Sequence, residues 1–301
     1  MIRKAVSKDK KEIYQIWKIC FANDDDGYTD YYFQNEFVPE NTWIYTIGEK
    51  IVSILDLRPH ILSLGNKRIG TYFIVGVATL PNYRHKGYMK ELMKAALEYA
   101  DRRVLVTLIQ EYDQGLYEPF GFIPTYDIKQ YEFKGKEFPK YGHLNVVEMT
   151  DKEALTKLYY RFMSNFQGYF VPGKKHFESL EKQLTYERGH LFSYYHREQL
   201  HGYYVGYLEG SELRITEIMY DDGEALARML AHASSLALNI KLKVPKLEKL
   251  EILLPNAKIT TKNETLVRIN DMALFKRCYN LENKSVDSLW QEKPLYLPDE
   301  A

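Results

Sequence analysis

The most informative segment of the sequence is GVATLPNYRHKGYM, residues 76–89. Its first half has the apolar character of a buried strand, Pro81 marks the end of that strand, and a helix is predicted to begin near Gly87. The first turn of a helix leaves backbone N–H groups without partners and carries partial positive charge, and a glycine there lets an anion approach the backbone closely. With the basic residues 84–86 beside it, the turn predicts an anion site. The alternative is a solvated basic turn that caps an amphipathic helix.

The composition indicates a globular protein of two domains. The chain has 301 residues, more than one typical domain, with 45% hydrophobic and 27% charged residues. Lys and Arg together number 41, as do Asp and Glu, so the zero net charge gives no support to nucleic-acid binding. No apolar run reaches the roughly 20 residues that a bilayer crossing needs, and the N-terminus turns polar at once. We therefore expect neither a membrane span nor a signal peptide.

The cysteines and histidines show no pattern typical of a metal site. Cys20 and Cys278 form no zinc-binding or disulfide spacing, and no HxxxH pair occurs among the eight histidines. We therefore expect a cytoplasmic protein that binds no metal. The sequence leaves open whether the chain forms a homo-oligomer.

Residues 1–137 predict alternating helices and strands. Apolar residues at helical spacing predict helices at residues 8–21, 29–36 and 89–100. Strands are expected at residues 43–47, 51–62, 68–80 and 104–109. Short turns join the first three strands, so an antiparallel meander is the simplest pairing.

Residues 138–255 predict a second unit with the same order of elements. Strands are expected at residues 144–149, 191–196, 200–208, 213–220 and 249–254, and helices at residues 151–166 (with Asp151 as N-cap), 174–185 and 224–238. No residue-level repeat accompanies this order, so it indicates a duplication of the fold only. Residues 256–301 predict a tail with a strand at 266–269 and a short helix at 272–279.

The segment at 76–89 resembles the acetyl-CoA pyrophosphate loop of the GNAT N-acetyltransferases, with Arg84-x-x-Gly87 following Val77-Ala78-Thr79-Leu80-Pro81. Met89 stands where most of that family has Gly or Ala. In this respect the loop is similar to the branch of the enhanced intracellular survival acetyltransferases. That branch carries a second, degenerate GNAT-like domain and a C-terminal sterol-carrier-like domain, whose opening the segment at 265–271 resembles.

The resemblance implies an α+β fold of tandem GNAT-like domains, with mixed central sheets flanked by helices and a short C-terminal tail. It assigns residues 1–137 to a catalytic domain, residues 138–255 to a degenerate domain and residues 256–301 to a truncated sterol-carrier-like segment. Asp221 and Asp222 stand in the second unit where the basic loop would be. Because they would repel phosphate, we expect acetyl-CoA to bind the first domain only.

By the resemblance, acetyl-CoA binds along the end of the third strand and the turn after it. The backbone of Val77, Ala78 and Thr79 faces the acetyl-pantetheine arm, and the Val77 N–H polarises the thioester carbonyl. The pyrophosphate lies in a cradle formed by Arg84, His85, Lys86, Gly87 and Tyr88. From its residue type alone, Val77 is equally well explained as a core strand residue.

A second motif follows the fourth strand, where the segment LYEPFGF at 116–122 matches the family's Tyr-x-x-Phe-Gly-Phe signature. The resemblance assigns Tyr117 as the general acid that protonates the departing thiolate. A phenol with an ordinary pKa near 10 stays protonated at pH 7 and is able to donate a proton. The chain contains 26 tyrosines, so only the motif distinguishes Tyr117 from a core or surface residue.

The amine acceptor must lose a proton before it attacks the thioester. For an amine of ordinary pKa near 10.4, this costs roughly 4.6 kcal/mol at pH 7. Candidate proton acceptors are Glu111 and Asp113 after the fourth strand and the loop residues Asp24, Asp25 and Asp26. The three aspartates are also candidates for attracting a cationic substrate. Each of these carboxylates is alternatively a solvated surface group.

The C-terminal tail supplies one more candidate. In the branch that the chain resembles, the C-terminal carboxylate is the proton acceptor, which here would be that of Ala301, with the side chains of Asp299 and Glu300 as alternatives. The prolines and apolar residues of segment 294–301 suit a docked strand. The alternative is a peptide that packs on the surface or frays.

The leading hypothesis is an acetyl-CoA-dependent N-acetyltransferase that transfers the acetyl group directly to a primary amine of a small molecule or peptide. The alternative is a CoA-binding regulatory or scaffold protein without turnover, against which the Tyr117 motif argues. A third hypothesis, nucleic-acid binding through the basic turn, conflicts with the zero net charge. The sequence does not identify the amine.

Overall fold

The computed structural model describes residues 1–22, 26–110, 114–138, 142, 145–148, 151–289 and 293–298, without the side chains of residues 114, 126, 264 and 287. The described chain forms two compact units. The first consists of residues 1–125 and 265–289, and the second of residues 126–264 and 293–298. Each has a mixed sheet with helices packed on it, which confirms the predicted α+β class. No helix in the described part of the chain is long and apolar enough to cross a membrane.

The strands, numbered along the chain, are β1 (Ile2–Lys4), β2 (Thr42–Ile47), β3 (Lys50–Leu64), β4 (Lys67–Thr79), β5 (Val106–Gln110), β6 (Ile123–Lys134), β7 (Val146–Val147), β8 (Gly168–Phe170), β9 (Gly189–His196), β10 (Gln199–Glu209), β11 (Glu212–Tyr220), β12 (Asn239–Pro245) and β13 (Lys258–Ile269). The helices are α1 (Lys10–Cys20), α2 (Tyr28–Asn35), α3 (Tyr88–Asp101), α4 (Gln114–Tyr117), α5 (Lys152–Met163), α6 (His176–Glu187), α7 (Gly223–Leu236) and α8 (Met272–Cys278). Each predicted helix is present, with ends within one turn of the prediction.

The sheet of the first unit combines strands from the N-terminal part of the chain with one from the tail. β2 to β4 pair antiparallel in sequence order, which confirms the predicted meander, and β1, which was not predicted, pairs antiparallel with β2. β5 pairs parallel with β4 after the crossover through α3. The second half of β13, residues 265–269, then pairs antiparallel with β5.

Side chains that alternate along β3 build two cores in the first unit. Ile54 belongs to a cluster with the buried faces of α1 and α2, whereas Leu55 belongs to a cluster with the buried face of α3. Successive residues of a strand point to opposite faces, so the sheet lies between these two helical layers. The buried residues of α3 are those that its apolar periodicity predicts: Leu92, Met93, Ala96, Leu97 and Ala100.

A β-bulge interrupts the pairing of β3 with β4. Gly76 and Val77 together lie opposite one residue of β3, because the register shifts between Ile54 and Asp56. Gly76 has a φ of 60°, and a Cβ at this position would lie 2.1 Å from the ring of Trp17. Only glycine satisfies both the backbone conformation and the contact, so packing of α1 fixes the bulge.

The second unit repeats the pairing order of the first. β7, β9, β10 and β11 pair antiparallel, β12 pairs parallel with β11, and β6 pairs antiparallel with β12. The predicted N-cap Asp151 accepts hydrogen bonds from Glu153 N and Ala154 N. The duplication at the level of the fold is therefore confirmed.

One predicted strand is wrong. Residues 249–254 contain a short 3-10 turn, Leu250–Ile252, instead of a strand. The strand lies earlier, at β12, where buried Ile240, Leu242 and Val244 alternate with more exposed lysines. The lysines conceal this period-two pattern in the sequence, and the two buried leucines that follow, Leu250 and Leu254, have the four-residue spacing of a helical turn.

The end of the described chain packs in the second unit. Gln167 N donates to Pro294 O at 2.9 Å, and Tyr296 N donates to Gly168 O at 2.8 Å. Leu295 forms a parallel bridge with Gly168, and residues 295–297 are buried. Residues 293–298 are therefore a docked, partly strand-like segment.

Candidate active site

The turn before α3 leaves its helix N-terminus open. Gly87 is the N-cap residue, with a φ of 86°, and no side-chain cap is present among the described residues. His85 also has a positive φ, 62°, and the turn is exposed. The N–H groups at a helix start point out of its end, where the dipole adds positive charge. This turn therefore has the geometry that binds an anion.

Basic side chains surround the same turn. Arg84 donates from Nε to Thr79 O at 3.1 Å, and Lys86 donates from Nζ to Asn82 O at 3.2 Å. Both side chains are exposed, as is that of His85. The structure thus brings the residues predicted to cradle a pyrophosphate to one exposed turn: Arg84, His85, Lys86, Gly87 and Tyr88.

Cys20 lies beside this turn without the character of a nucleophile. Its Sγ is 3.6 Å from Thr79 O. Burial raises the pKa of the Cys20 thiol, and the nearby Arg84 opposes this effect only in part. A thiol held protonated packs as a small apolar group.

β4 and β5 diverge at the bulge. Their parallel ladder runs from the Thr71–Val106 pair to the Ile74–Ile109 pair, whereas β4 continues to Thr79. Residues 75–79 therefore extend beyond the ladder, and a bulge leaves its extra residue unpaired. The three strand residues predicted to face the acetyl-pantetheine arm lie on this free edge: Val77, Ala78 and Thr79.

Tyr117 lies at the end of α4, which follows the carboxyl end of β5. Its side chain is 2% exposed, and its ring packs edge-on against Phe122 with centroids 6.2 Å apart. Val77 packs against the same apolar cluster. The structure therefore brings the predicted general acid and the predicted thioester-polarising residue to one cluster.

Arg268 holds the turn that carries Tyr117, which the sequence did not predict. Its Nε donates to Phe120 O at 2.9 Å, and its guanidinium also contacts Asp101 at the end of α3 and Asn270 Oδ1 at 2.6 Å. These contacts come from the segment that was expected to open a separate domain. The sequence predicts a strand at 266–269, but only its pairing with β5 shows that this strand belongs to the sheet of the first unit.

A buried polar cluster on β3 was also missed. The Tyr32 hydroxyl donates to Asp56 Oδ2, and Arg58 Nε lies 3.6 Å from the same oxygen. Arg58 stacks over the Tyr32 ring at 4.1 Å and donates to the Tyr28 hydroxyl at 3.0 Å. The sequence does contain a signal for this cluster: Asp56 and Arg58 lie two residues apart in a largely apolar strand, ILDLRPHIL at 54–62.

Several predicted site residues lie outside the described part of the chain: Asp24, Asp25, Glu111, Asp113 and Ala301. Asp26 is described and exposed. Among the described residues, no group of three or more His, Cys, Asp or Glu side chains is placed to hold a metal ion.

The corresponding turn of the second unit is closed by its own carboxylates. Asp222 is the N-cap of α7 and accepts from Ala225 N at 2.8 Å. Asp221 forms two hydrogen bonds with Arg161, at 3.0 and 2.9 Å. A cavity of about 660 Å³ beside this turn is lined mainly by charged residues.

Comparison with known proteins agrees with this geometry. Residues 1–125 match the family model described as an acetyltransferase (GNAT) domain. No match is found among curated proteins.

Several solved structures have a similar fold. A probable N-acyltransferase from Enterococcus faecalis V583 has 17% identity and a TM-score of 0.76, covering 91% of this chain and 74% of that chain. A GCN5-related N-acetyltransferase from Anabaena variabilis ATCC 29413 has 17% identity and a TM-score of 0.74, covering 98% and 81%. Eis1 from Mycobacterium abscessus has 14% identity and a TM-score of 0.68, covering 90% and 74%.

These similarities extend over both units, so the fold is that of tandem GNAT-like domains, as predicted. The family match covers the turn before α3 and the Tyr117 motif. Residues 1–125 are therefore an acetyltransferase (GNAT) domain.

Proposed function

We propose that the protein is an acetyl-CoA-dependent N-acetyltransferase that transfers the acetyl group directly to a primary amine of a small molecule or peptide. The observation that carries the proposal is the open N-terminus of α3, with Gly87 at a φ of 86° and no described side-chain cap. The three exposed basic side chains next to it match the charge of a pyrophosphate. The residues of this cradle are Arg84, His85, Lys86, Gly87 and Tyr88.

The acetyl-pantetheine arm of the cofactor binds along the free edge of β4. An extended ligand adds to a strand edge through main-chain hydrogen bonds, and the bulge supplies the backbone of Val77, Ala78 and Thr79 for this purpose. The Val77 N–H polarises the thioester carbonyl. A backbone donor held rigidly by the sheet stabilises the oxyanion that develops there.

Tyr117 acts as the general acid. The amine nitrogen attacks the thioester carbonyl carbon, the carbon–sulfur bond breaks, and the departing CoA thiolate takes a proton from the Tyr117 hydroxyl. The proton that the nitrogen loses as the amide forms then restores the Tyr117 phenol. A phenol, with an ordinary pKa near 10, carries a proton to donate at neutral pH. Its buried ring, packed on Phe122, keeps the hydroxyl in a fixed position, which favours proton transfer.

The second unit binds no CoA and serves as a degenerate domain, because Asp221 and Asp222 occupy its turn. We place the protein in the cytoplasm, in keeping with two free, half-buried cysteines. The similarity to Eis1 and the bulky Met89 support the enhanced intracellular survival branch.

Two measurements test the proposal. Calorimetry with CoA is expected to give one site per chain, and a free-thiol assay with acetyl-CoA and a panel of alkyl diamines, lysine peptides and N-terminal peptides is expected to give amine-dependent CoA release. CoA binding without thiol release with any amine would instead support the regulatory or scaffold alternative. Two CoA sites per chain would contradict the degenerate role of the second unit.

A further inference from the structure

The polar cluster on β3 contains groups that the proposed mechanism leaves unused. Asp56 is 2% exposed, yet its Oδ1 has no hydrogen-bond partner among the described residues. Thr42, which pairs with Asp56 across the β2–β3 ladder, is 1% exposed and its Oγ1 is also without a described partner. Buried polar atoms in native proteins are nearly always hydrogen-bonded, so two unpartnered atoms on neighbouring strands indicate a place for a further polar group.

The register places this cluster beside the proposed reacting centre at Val77. Asp56 pairs with Val75, two residues before Val77 on β4. With about 5 Å between paired Cα atoms and about 3.3 Å per residue along a strand, the Asp56 and Val77 Cα atoms are about 8 Å apart. A carboxylate side chain and one water molecule span such a distance. Asp56 faces the layer of α1 and α2, as its contact with Tyr32 shows.

We propose, on the basis of the proposed function, that Asp56 accepts the proton of the acceptor amine through one water molecule. The ammonium group of the substrate gives its proton to the water, which passes a proton to Asp56 Oδ1. The neutral amine then attacks the thioester, and the Asp56 carboxylic acid returns the proton to solvent after the product leaves. The step balances without any other reactant.

The surroundings of Asp56 suit this role. Burial raises the pKa of the Asp56 carboxyl, which makes it a stronger base than a solvated aspartate, while Arg58, the Tyr32 hydroxyl and the Leu57 backbone N–H act in the opposite direction. Arg58 thereby favours the ionised form of the carboxyl. Among the described residues, the titratable groups of other elements that contact Asp56 and Arg58 are the two tyrosines of α2, Tyr28 and Tyr32.

The first test replaces the carboxylate by its neutral isostere. Asp56→Asn keeps the hydrogen bond from Tyr32, and kcat at pH 7 is expected to fall about 100-fold or more, as for loss of a general base. The acetyl-CoA affinity is expected to be unchanged. Asp9→Asn is the matched control, because Asp9 is 7% exposed and also pairs with an arginine of the first unit, Arg3, at 2.7 Å. A similar kcat loss in both variants would reduce Asp56 to a structural ion pair and overturn the proposal.

The second test follows the pH profile. The acidic limb of kcat reports the base in the substrate complex. Tyr32→Phe removes the hydrogen bond that lowers the pKa of Asp56, so the limb is expected to move to higher pH, while stacking of the ring on Trp17 is retained. A limb that stays in place in Tyr32→Phe would overturn the proposal.

The carboxylate of Ala301 is the rival proton acceptor. Deletion of residues 299–301 keeps the docked segment 293–298, and the wild-type acidic limb is expected to survive in the deleted protein. If the deleted protein lost the acidic limb of the kcat profile while Asp56→Asn kept it, the proton acceptor would be the tail, and the proposal would be overturned. Turnover of the wild-type protein tests the proposed acetyltransferase activity itself. A wild-type protein without turnover would contradict that activity, whereas an active wild type with an unaffected Asp56→Asn variant would contradict only the role of Asp56.

Discussion

The N-termini of the corresponding helices, α3 and α7, differ between the two units. In the first, eight residues, 80–87, separate β4 from α3, and the helix begins at an uncapped glycine among exposed basic side chains. In the second, only residues 221–222 separate β11 from α7, and Asp222 caps the helix itself. Both parallel ladders end early, at Ile74–Ile109 and at Ile215–Leu242. The divergence of the two parallel strands is therefore common to both units, whereas only the first unit has a long, basic turn with the geometry of an anion site.

The segments that follow the parallel strands β5 and β12 also differ between the two units. After β5 the first unit has Tyr117, followed by a 3-10 turn and Gly121 with a φ of 85°. After β12 the second unit has the 3-10 turn Leu250–Ile252 within the leucine-rich segment 247–254, which contains no tyrosine. One unit thus carries a buried tyrosine hydroxyl where the other carries core residues.

The largest expected effect concerns this hydroxyl. Tyr117→Phe is expected to lower kcat about 100- to 10,000-fold with acetyl-CoA affinity nearly unchanged, since the phenol acts only in the transition state. Tyr204→Phe removes an equally buried hydroxyl in the second unit, which bonds His232 Nδ1 at 2.8 Å, and is expected to keep kcat. Steady-state kinetics with calorimetry measure both. An unaltered kcat in Tyr117→Phe would remove Tyr117 from the mechanism.

The next effect concerns the charge at the open turn. Gly87→Asp is expected to weaken acetyl-CoA binding at least about tenfold, because a carboxylate about 4 Å from a phosphate is repelled by about 1 to 4 kcal/mol. Gly87→Asn has the same shape and a similar tolerance of positive φ, so it isolates the charge, and its affinity is expected to stay within about threefold of wild type. Equal losses in the two variants would assign the effect to backbone strain.

A smaller effect concerns Arg268. Arg268→Ala leaves Phe120 O and Asp101 without their cationic partner, and we expect a loss of about 2 kcal/mol of unfolding free energy, since the arginine side chain is 19% exposed. Arg161→Ala breaks a similar double contact with Asp221 in the second unit, but this side chain is 50% exposed, so less than about 1 kcal/mol is expected. Urea unfolding measures both. Equal losses would show that burial of the pair does not matter here.

Local patterns predicted most of the fold, and the motifs predicted the turn and Tyr117. Helix faces such as that of α3 follow from spacing alone, because each residue is read against neighbours three and four positions away. The partner of residues 265–269 is β5, more than 150 residues earlier in the chain, and local spacing carries no information on such pairing. Asp56 was missed for the same reason, since its meaning depends on Tyr32 in α2 and on the register with β4.

The smallest expected effect tests whether removal of the Asp222 cap is enough to turn the start of α7 into a CoA-binding site. Asp222→Ala frees the α7 N-terminus, and we expect it to cost the second unit about 1 kcal/mol, the usual loss for an N-cap side chain. CoA stoichiometry is nevertheless expected to stay at one per chain, because two residues are too few to form a loop around a pyrophosphate and Asp221 remains beside the helix end. Asp222→Asn keeps the capping oxygen and is expected to retain stability within a few tenths of a kcal/mol. A second CoA site in the alanine variant, detected by calorimetry, would show that the cap and not the loop length separates the two units.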